Sequence, residues 1–244
     1  MDTQNPTPEK IKGLADIVIL LDATGSMDSC INAVKNGIGS FVEELNVPVP
    51  ELQRPINWRC KVCGYRDIDV DGDRWFEDNP FVRDAKSLKE QLSALKATGG
   101  GDIPESLLDA LQKMVNMPHS AKGEAEDAQK WRERGTAQRF VLIFTDAPFK
   151  EKTADGTTVE DLALKIESER FYVTIFAPTM DCYADLAQVP RFLYEPCEED
   201  PAAPGDAQAA LAKSVSQVAK FQKTLTALAR TITNSAARGD VAAC

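Results

Sequence analysis

The sequence predicts an α/β sandwich with a mainly parallel central sheet, one antiparallel edge strand and helices on both faces. Three observations carry this. Two continuous apolar runs, LADIVILL at 14–21 and QRFVLIF at 138–144, have the pattern of strands covered on both sides. Stretches with helical apolar spacing lie between the strands, and such alternation favours a parallel sheet with crossover helices. A short run, DRWFED, follows a strand across the turn-rich DVDG, which reads as an edge strand returning through a tight hairpin.

Taken in order, LADIVILL is followed by CINAVKNGIGSFVEEL, where Ile31, Val34, Ile38, Phe41, Val42 and Leu45 form one apolar stripe. INWRCKVCGYRD alternates as the second strand, and DRWFED is the third. Helical spacing runs from Ala85 to Leu95 and from Pro104 to Met117, the latter opening with proline in its first turn. Residues 118–137 are polar and charged and read as a surface loop. QRFVLIFTDAP is the next strand, VEDLALKIESE a helix, RFYVTIFAP a strand and YADLAQVP a short helix. EPCEEDPAAPGD, at 195–206, reads as a loop, and one long Ala-rich helix is expected over about 207–234.

With 244 residues, 43% of them hydrophobic, the chain can bury a full core as one large domain. Its 38 acidic residues outnumber 28 basic ones, for a net charge of −10. That sign opposes non-specific binding to nucleic acid or to anionic membranes and leaves room for cations or basic partners. No run approaches the roughly 20 apolar residues that span a bilayer, and the opening MDTQNPTPEKIKG lacks a signal-peptide core. A cytoplasmic protein is expected. Six cysteines, at 30, 60, 63, 182, 197 and 244, are spread too widely for a disulfide framework. CKVC at 60–63 has no second CxxC, and His119 is the sole histidine. Both thiols are therefore expected to be buried, on one face of the second strand, rather than bound to zinc.

The chemistry gathers at strand ends. Ligands of open parallel sheets bind outside the carboxyl ends of the strands, and two strands here end on Asp22 and Asp146. The loop ATGGGDIPES, at 97–106, should reach the same edge and adds Asp102 and Glu105. Several carboxylates on one rim repel, and a divalent cation relieves the repulsion. Thr24 and Ser26, two apart on the loop after Asp22, can face a common centre. Oxygen-only ligands favour a hard ion such as Mg²⁺, which keeps waters and so leaves a position for an outside ligand.

DATGS resembles the DxSxS-type first loop of von Willebrand factor A (vWA) domains, which bind Mg²⁺ at a metal-ion-dependent adhesion site. TGGGDIPES and FTDAP are similar to that family's second and third metal loops, in the same order. The resemblance covers about Ala15 to residue 234 and implies a Rossmann-like vWA sandwich over 14–236 between tails at 1–13 and 237–244. It implies Asp22, Thr24 and Ser26 as first-loop ligands and Asp146 as the third-loop ligand. In the second loop many members use a threonine, which Thr98 could supply, while DIPE resembles the DSPE of integrin β-subunit inserted domains; Asp102 and Glu105 are favoured over Thr98. DATGSMDSCI and GYRDIDVDGDRWFEDNPF look most like intracellular vWA domains attached to alpha-kinases, although no kinase domain is present in this chain.

Blander readings stand beside these. Asp22 could merely satisfy backbone amides after its strand, Asp102 and Glu105 could form a capping box, and Asp146 could belong to an Asp-Ala-Pro turn. Asp67, Asp69, Asp71, Gly72 and Asp78 nearly fit a calcium-loop spacing, but strand-like flanks favour a solvated hairpin. The RGD at 238–240 reads as polar tail, and Trp58, Trp75 and Trp131 as core or cover.

The resulting expectation is a non-catalytic, Mg²⁺-dependent protein-binding module, with Mn²⁺ or Ca²⁺ as alternatives. Its partner offers an Asp or Glu to the metal, with a kinase, phosphatase or ATPase acting in trans as candidates. The rivals are a metal-dependent phosphoester hydrolase at the same carboxylates, disfavoured by the absence of an evident nucleophile and base pair, and a scaffold with a purely structural metal.

Overall fold

β1 (Leu14–Asp22) lies at the centre of a six-stranded sheet with β2 (Asn57–Tyr65) on one side and β4 (Gln138–Phe144) on the other, both parallel to it. This computed structural model describes residues 13–101, 103–186, 189–197, 202–216 and 218–238. β5 (Phe171–Pro178) and β6 (Phe192–Cys197) extend the parallel sheet beyond β4, and β3 (Phe76–Glu77) closes the other edge antiparallel to β2. The strand order is therefore β3-β2-β1-β4-β5-β6, the architecture expected from the sequence.

The apolar runs of β1 and β4 arise because each strand is covered twice. Alternate residues of β1 serve two cores: Ile17, Ile19 and Leu21 face one, Val18 and Leu20 the other. The first core packs against α1 (Asp28–Leu45), whose stripe from Ile31 to Leu45 is buried as its spacing requires, and against α3 (Ala85–Ala94). α7 (Ala207–Ser216) and α8 (Val218–Arg238) complete that face, and Arg230 of α8 bonds Glu44 of α1 at 2.6 Å. The second core lies under α4 (Leu107–Asn116), α5 (Val159–Glu169) and α6 (Asp181–Leu186). α5 starts on a capping box between Thr158 and Asp161.

Several local expectations change. Cys60 and Cys63 are both buried free thiols, but they belong to opposite cores. Residues three apart on a strand fall on opposite faces, so the expected shared face was a misreading of the period. The link between β2 and β3 is no tight hairpin: Asp67 caps a helical turn, α2 (Ile68–Asp71), and a 3-10 turn (Gly72–Arg74) follows. α4 begins at Leu107, so Pro104 and Glu105 precede it in the loop. FLYEPC forms β6 where a loop was expected from residue 195, and the C-terminal region is helical over Ala207–Ser216 and Val218–Arg238. The RGD glycine and aspartate, and residues 1–12, lie outside the described residues.

The polar stretch 118–137 is anchored to the amino end of the sheet. Trp131 is wholly buried, packs on Phe81 and Phe171, and donates its indole N–H to the Met114 carbonyl at 2.9 Å. Asp16, also wholly buried, accepts from Arg59 Nε at 2.7 Å and from the Arg132 backbone N–H at 2.9 Å, and Arg132 Nη1 lies 2.9 Å away. Arg59 in turn donates to the carbonyls of Asp127 and Lys130. The buried charges are thereby paired and hydrogen-bonded, the condition for tolerating them in a core.

Candidate metal centre

At the carboxyl end of the sheet, the register that pairs Leu21 with Phe144 brings Asp22 of β1 beside the loop that leaves β4. Asp22 is wholly buried. Its Oδ1 accepts from the Thr24 backbone N–H at 2.9 Å and from Thr24 Oγ1 at 2.7 Å, while Oδ2 accepts from Thr145 Oγ1 at 2.9 Å. Because the Thr24 hydroxyl spends its proton on Asp22, its lone pairs remain available as acceptors. Ser26 Oγ lies 3.4 Å from that hydroxyl, and both residues line a cleft of about 640 Å³.

The second loop reaches the same cleft through two glycines with positive φ. The Gly100 N–H donates to Asp71 Oδ2 at 3.0 Å, with φ +65° at Gly100 and +77° at Gly99. A Cβ on Gly99 would stand 2.1 Å from Asp71 Oδ1, and one on Gly100 would stand 2.8 Å from Thr24 Cγ2 and 3.1 Å from Glu105 Oε1. Side chains are excluded there by contact as well as by conformation. Arg66 holds the approach to this loop, donating to the carbonyls of Thr98 at 2.7 Å and Lys96 at 2.6 Å.

Glu105 sits in extended backbone tied to the third loop. Its N–H donates to the Pro148 carbonyl at 2.9 Å, and its carbonyl accepts from the Lys150 N–H at 3.1 Å. The side chain is 3% exposed, lines the cleft, and has one oxygen, Oε2, buried without a hydrogen-bond partner among the described residues. Asp146 presents the same feature: it lines the cleft, accepts from the Ser26 side chain, and has a buried Oδ2 without a partner. Thr98 is exposed and is not part of the cleft lining, and Asp102 lies outside the described residues.

Burial and crowding disfavour ionisation here. Burial, with the Asp146 charge adding to it, raises Asp22 to about 6 against the hydrogen bonds from Thr24 and Thr145. Glu105 is pushed up to about 8, first by burial and then by Asp22, Asp67, Asp146 and Asp71. Burial also raises Asp146, opposed by the Ser26 hydrogen bond. A cation would reverse this balance. The donor set suits a hard, oxygen-seeking ion, with unpartnered carboxylate oxygens on Glu105 and Asp146 and hydroxyls on Thr24 and Ser26. Among the described residues no three His, Cys, Asp or Glu side chains are grouped to hold a metal by themselves, and the hydroxyls of Thr24 and Ser26 add neutral oxygen donors on the same cleft.

Four contributors went unrecognised in the sequence. Thr145, directly before Asp146, orients Asp22; Asp71 holds the glycine loop; Arg66 buttresses it; and Lys150 bridges Asp67 at 2.7 Å and Asp69 at 2.6 Å. The acids that resembled a calcium loop thus have separate duties, and Asp78 pairs with buried Lys61. The usable signals were the hydroxyl beside a strand-terminal acid and the arginine of GYRD. His119 lies at the amino end of the sheet, against Arg139, where burial lowers its pKa to about 4.

An α/β sandwich whose parallel strands deliver hydroxyl and carboxylate loops to one rim defines the class of protein. Within that class the chain belongs to the von Willebrand factor type A domain family, whose model matches residues 16–197. Over 133 residues it is 28% identical to the alpha-protein kinase vwkA of Dictyostelium discoideum, covering 54% of this chain and 18% of that protein. The match thus spans less than a fifth of that relative's length. Proximal thread matrix protein 1 from the mussel byssus aligns with a TM-score of 0.50 at 14% identity, covering 90% of this chain and 46% of that one. The pilus adhesin SpaC from Lactobacillus rhamnosus GG aligns at 0.48 and 14% identity, covering 90% and 31%. At such identity the byssus protein speaks to fold alone. vWA domains are generally protein-interaction modules, and no helix among the described residues is long and apolar enough to cross a membrane.

Proposed function

We propose that this vWA domain is a Mg²⁺-dependent, non-catalytic protein-binding module whose metal accepts a carboxylate from a partner. The observation that carries the reading is the pair of buried, unpartnered oxygens, Glu105 Oε2 and Asp146 Oδ2, on the cleft that Thr24 and Ser26 also line. Thr24, Ser26, Glu105 and Asp146 would hold the ion, and Asp22 would act largely through the Thr24 hydroxyl that it fixes; Asp102 remains a candidate ligand. Mn²⁺ or Ca²⁺ could substitute for Mg²⁺. When bound, the ion supplies positive charge to an open coordination position, so an incoming Asp or Glu exchanges for water. The chain's own residues orient that position and exclude competing side chains.

The proposed partner is an acidic segment of another protein, with a kinase, phosphatase or ATPase acting in trans as candidates; nucleic acid and membrane are not part of the proposal. The Dictyostelium relative matched over 133 residues is named an alpha-protein kinase, which supports a signalling context. The five described cysteines are free thiols, which fits the proposed cytoplasmic location. The proposed domain spans 14–236.

The test is a pair of titrations: Mg²⁺ into metal-free protein, and a Glu-containing peptide library with and without Mg²⁺. Metal-dependent capture of acidic peptides, lost in Asp146→Ala, is the expected result. Metal binding that raises thermal stability with no gain in peptide capture would instead favour a structural ion.

A further inference from the structure

We propose that the groove between α5 and α6 is a second docking surface, built for a basic amphipathic helix of a protein partner. α5 is amphipathic twice over. Leu162 and Ile166 are buried, whereas Glu160, Ala163, Leu164 and Glu167, at the i, i+3, i+4, i+7 spacing of one helical face, line an external groove of about 590 Å³. Leu164 is 67% exposed at the middle of that stripe. The floor is apolar, with Phe149 from the loop after β4 and Leu186 of α6 on the opposite wall.

The charge pattern selects the occupant. Glu151, Glu160 and Glu167 are exposed on the rim, and among the described residues no Lys or Arg lines the groove and none of the three acids has an ion-pair partner. Glu160 and Glu167 bracket Leu164 along roughly 10 Å of helix axis. A partner helix with one or two leucine-class side chains between cations spaced two turns apart would place apolar surface on Leu164 and a cation on each acid. An acidic or neutral helix would leave the rim uncompensated. The groove shares no carboxylate with the proposed metal cleft, so the two surfaces can be separated by mutation.

The probe is a synthetic helical peptide with two central leucines flanked by lysines, compared with the same peptide flanked by glutamates. Amide-shift mapping and fluorescence anisotropy should show saturable binding of the lysine peptide, with shifts clustered on α5 and α6. Affinity should fall at least tenfold in Leu164→Asp and in the double variant Glu160→Lys, Glu167→Lys, and stay unchanged in Asp146→Ala. These exposed positions leave the fold intact, which melting curves would check. Equal binding of both peptides, binding of neither, or shifts elsewhere would overturn the proposal. So would sedimentation showing wild-type dimers that Leu164→Asp converts to monomers, because a second copy would then be the occupant.

Discussion

Thr145 and Asp22, 123 residues apart in sequence, meet through a 2.9 Å hydrogen bond from hydroxyl to carboxylate across the β1–β4 pair. The bond fixes one oxygen of Asp22 while Thr24 occupies the other. Hydrogen bonds to charged groups contribute about 1.5–3 kcal/mol. Thr145→Val should therefore weaken Mg²⁺ affinity by roughly tenfold or more, with Thr145→Ser largely restoring it. Calorimetric titration of the two variants checks this.

The pH dependence of the metal-free protein has a defined sign. Glu105, at about 8, and Asp22, at about 6, lie above ordinary carboxylate values, so over that interval the folded chain holds protons that the unfolded chain has released. Stability from these groups is complete at low pH, declines as pH rises, and levels off above about 8. Thermal melts between about pH 5 and pH 9 should show a decline that is shallower in Glu105→Gln. Mg²⁺, by favouring the ionised groups, should reduce the slope.

Gly99 and Gly100 of the glycine loop leave no room for a side chain. Gly100→Ala must hold a Cβ 2.8 Å from Thr24 Cγ2 at a φ of +65°, and the left-handed conformation alone costs about 1–2 kcal/mol. The variant should melt lower than wild type and bind Mg²⁺ poorly. Gly123→Ala, also at positive φ but with nothing within 4 Å of its Cβ, should lose stability without losing the metal.

At the far end of the sheet, Asp16→Ala would leave Arg59 and Arg132 buried without their shared carboxylate. Removing one member of a buried ion pair costs about 3–5 kcal/mol. Urea unfolding should show a loss of this size, and limited proteolysis should cut early within 118–137.

How much of this was legible depends on the range of the interactions. β1, β4 and the stripe of α1 were readable because burial on two faces, or along one helical face, writes itself into consecutive residues. β6 was missed because an edge strand is only half covered: Leu193 is 46% exposed, and Pro196 lies within it. The acids of α2 suggested a hairpin or a calcium loop because their partners, Lys150 and the Gly100 amide, are distant in sequence. Trp131, read as core or cover, is wholly buried, whereas Arg132 looks like a loop residue until Asp16 is in place. For the candidate site, carboxylates at strand ends and glycines before an acid were visible locally. Thr145 acts on Asp22, far away in sequence, and Arg66 acts through distant backbone carbonyls, so neither shows its role in its own neighbourhood.

The most direct test of the central claim is calorimetric titration of Mg²⁺ into metal-free protein, alone and with a saturating acidic peptide, for wild type, Thr24→Val and Asp146→Asn. One saturable site is expected in wild type, tightened by the peptide and lost or severely weakened in both variants. Absence of binding in wild type with the peptide present, or binding unchanged in both variants, would contradict it.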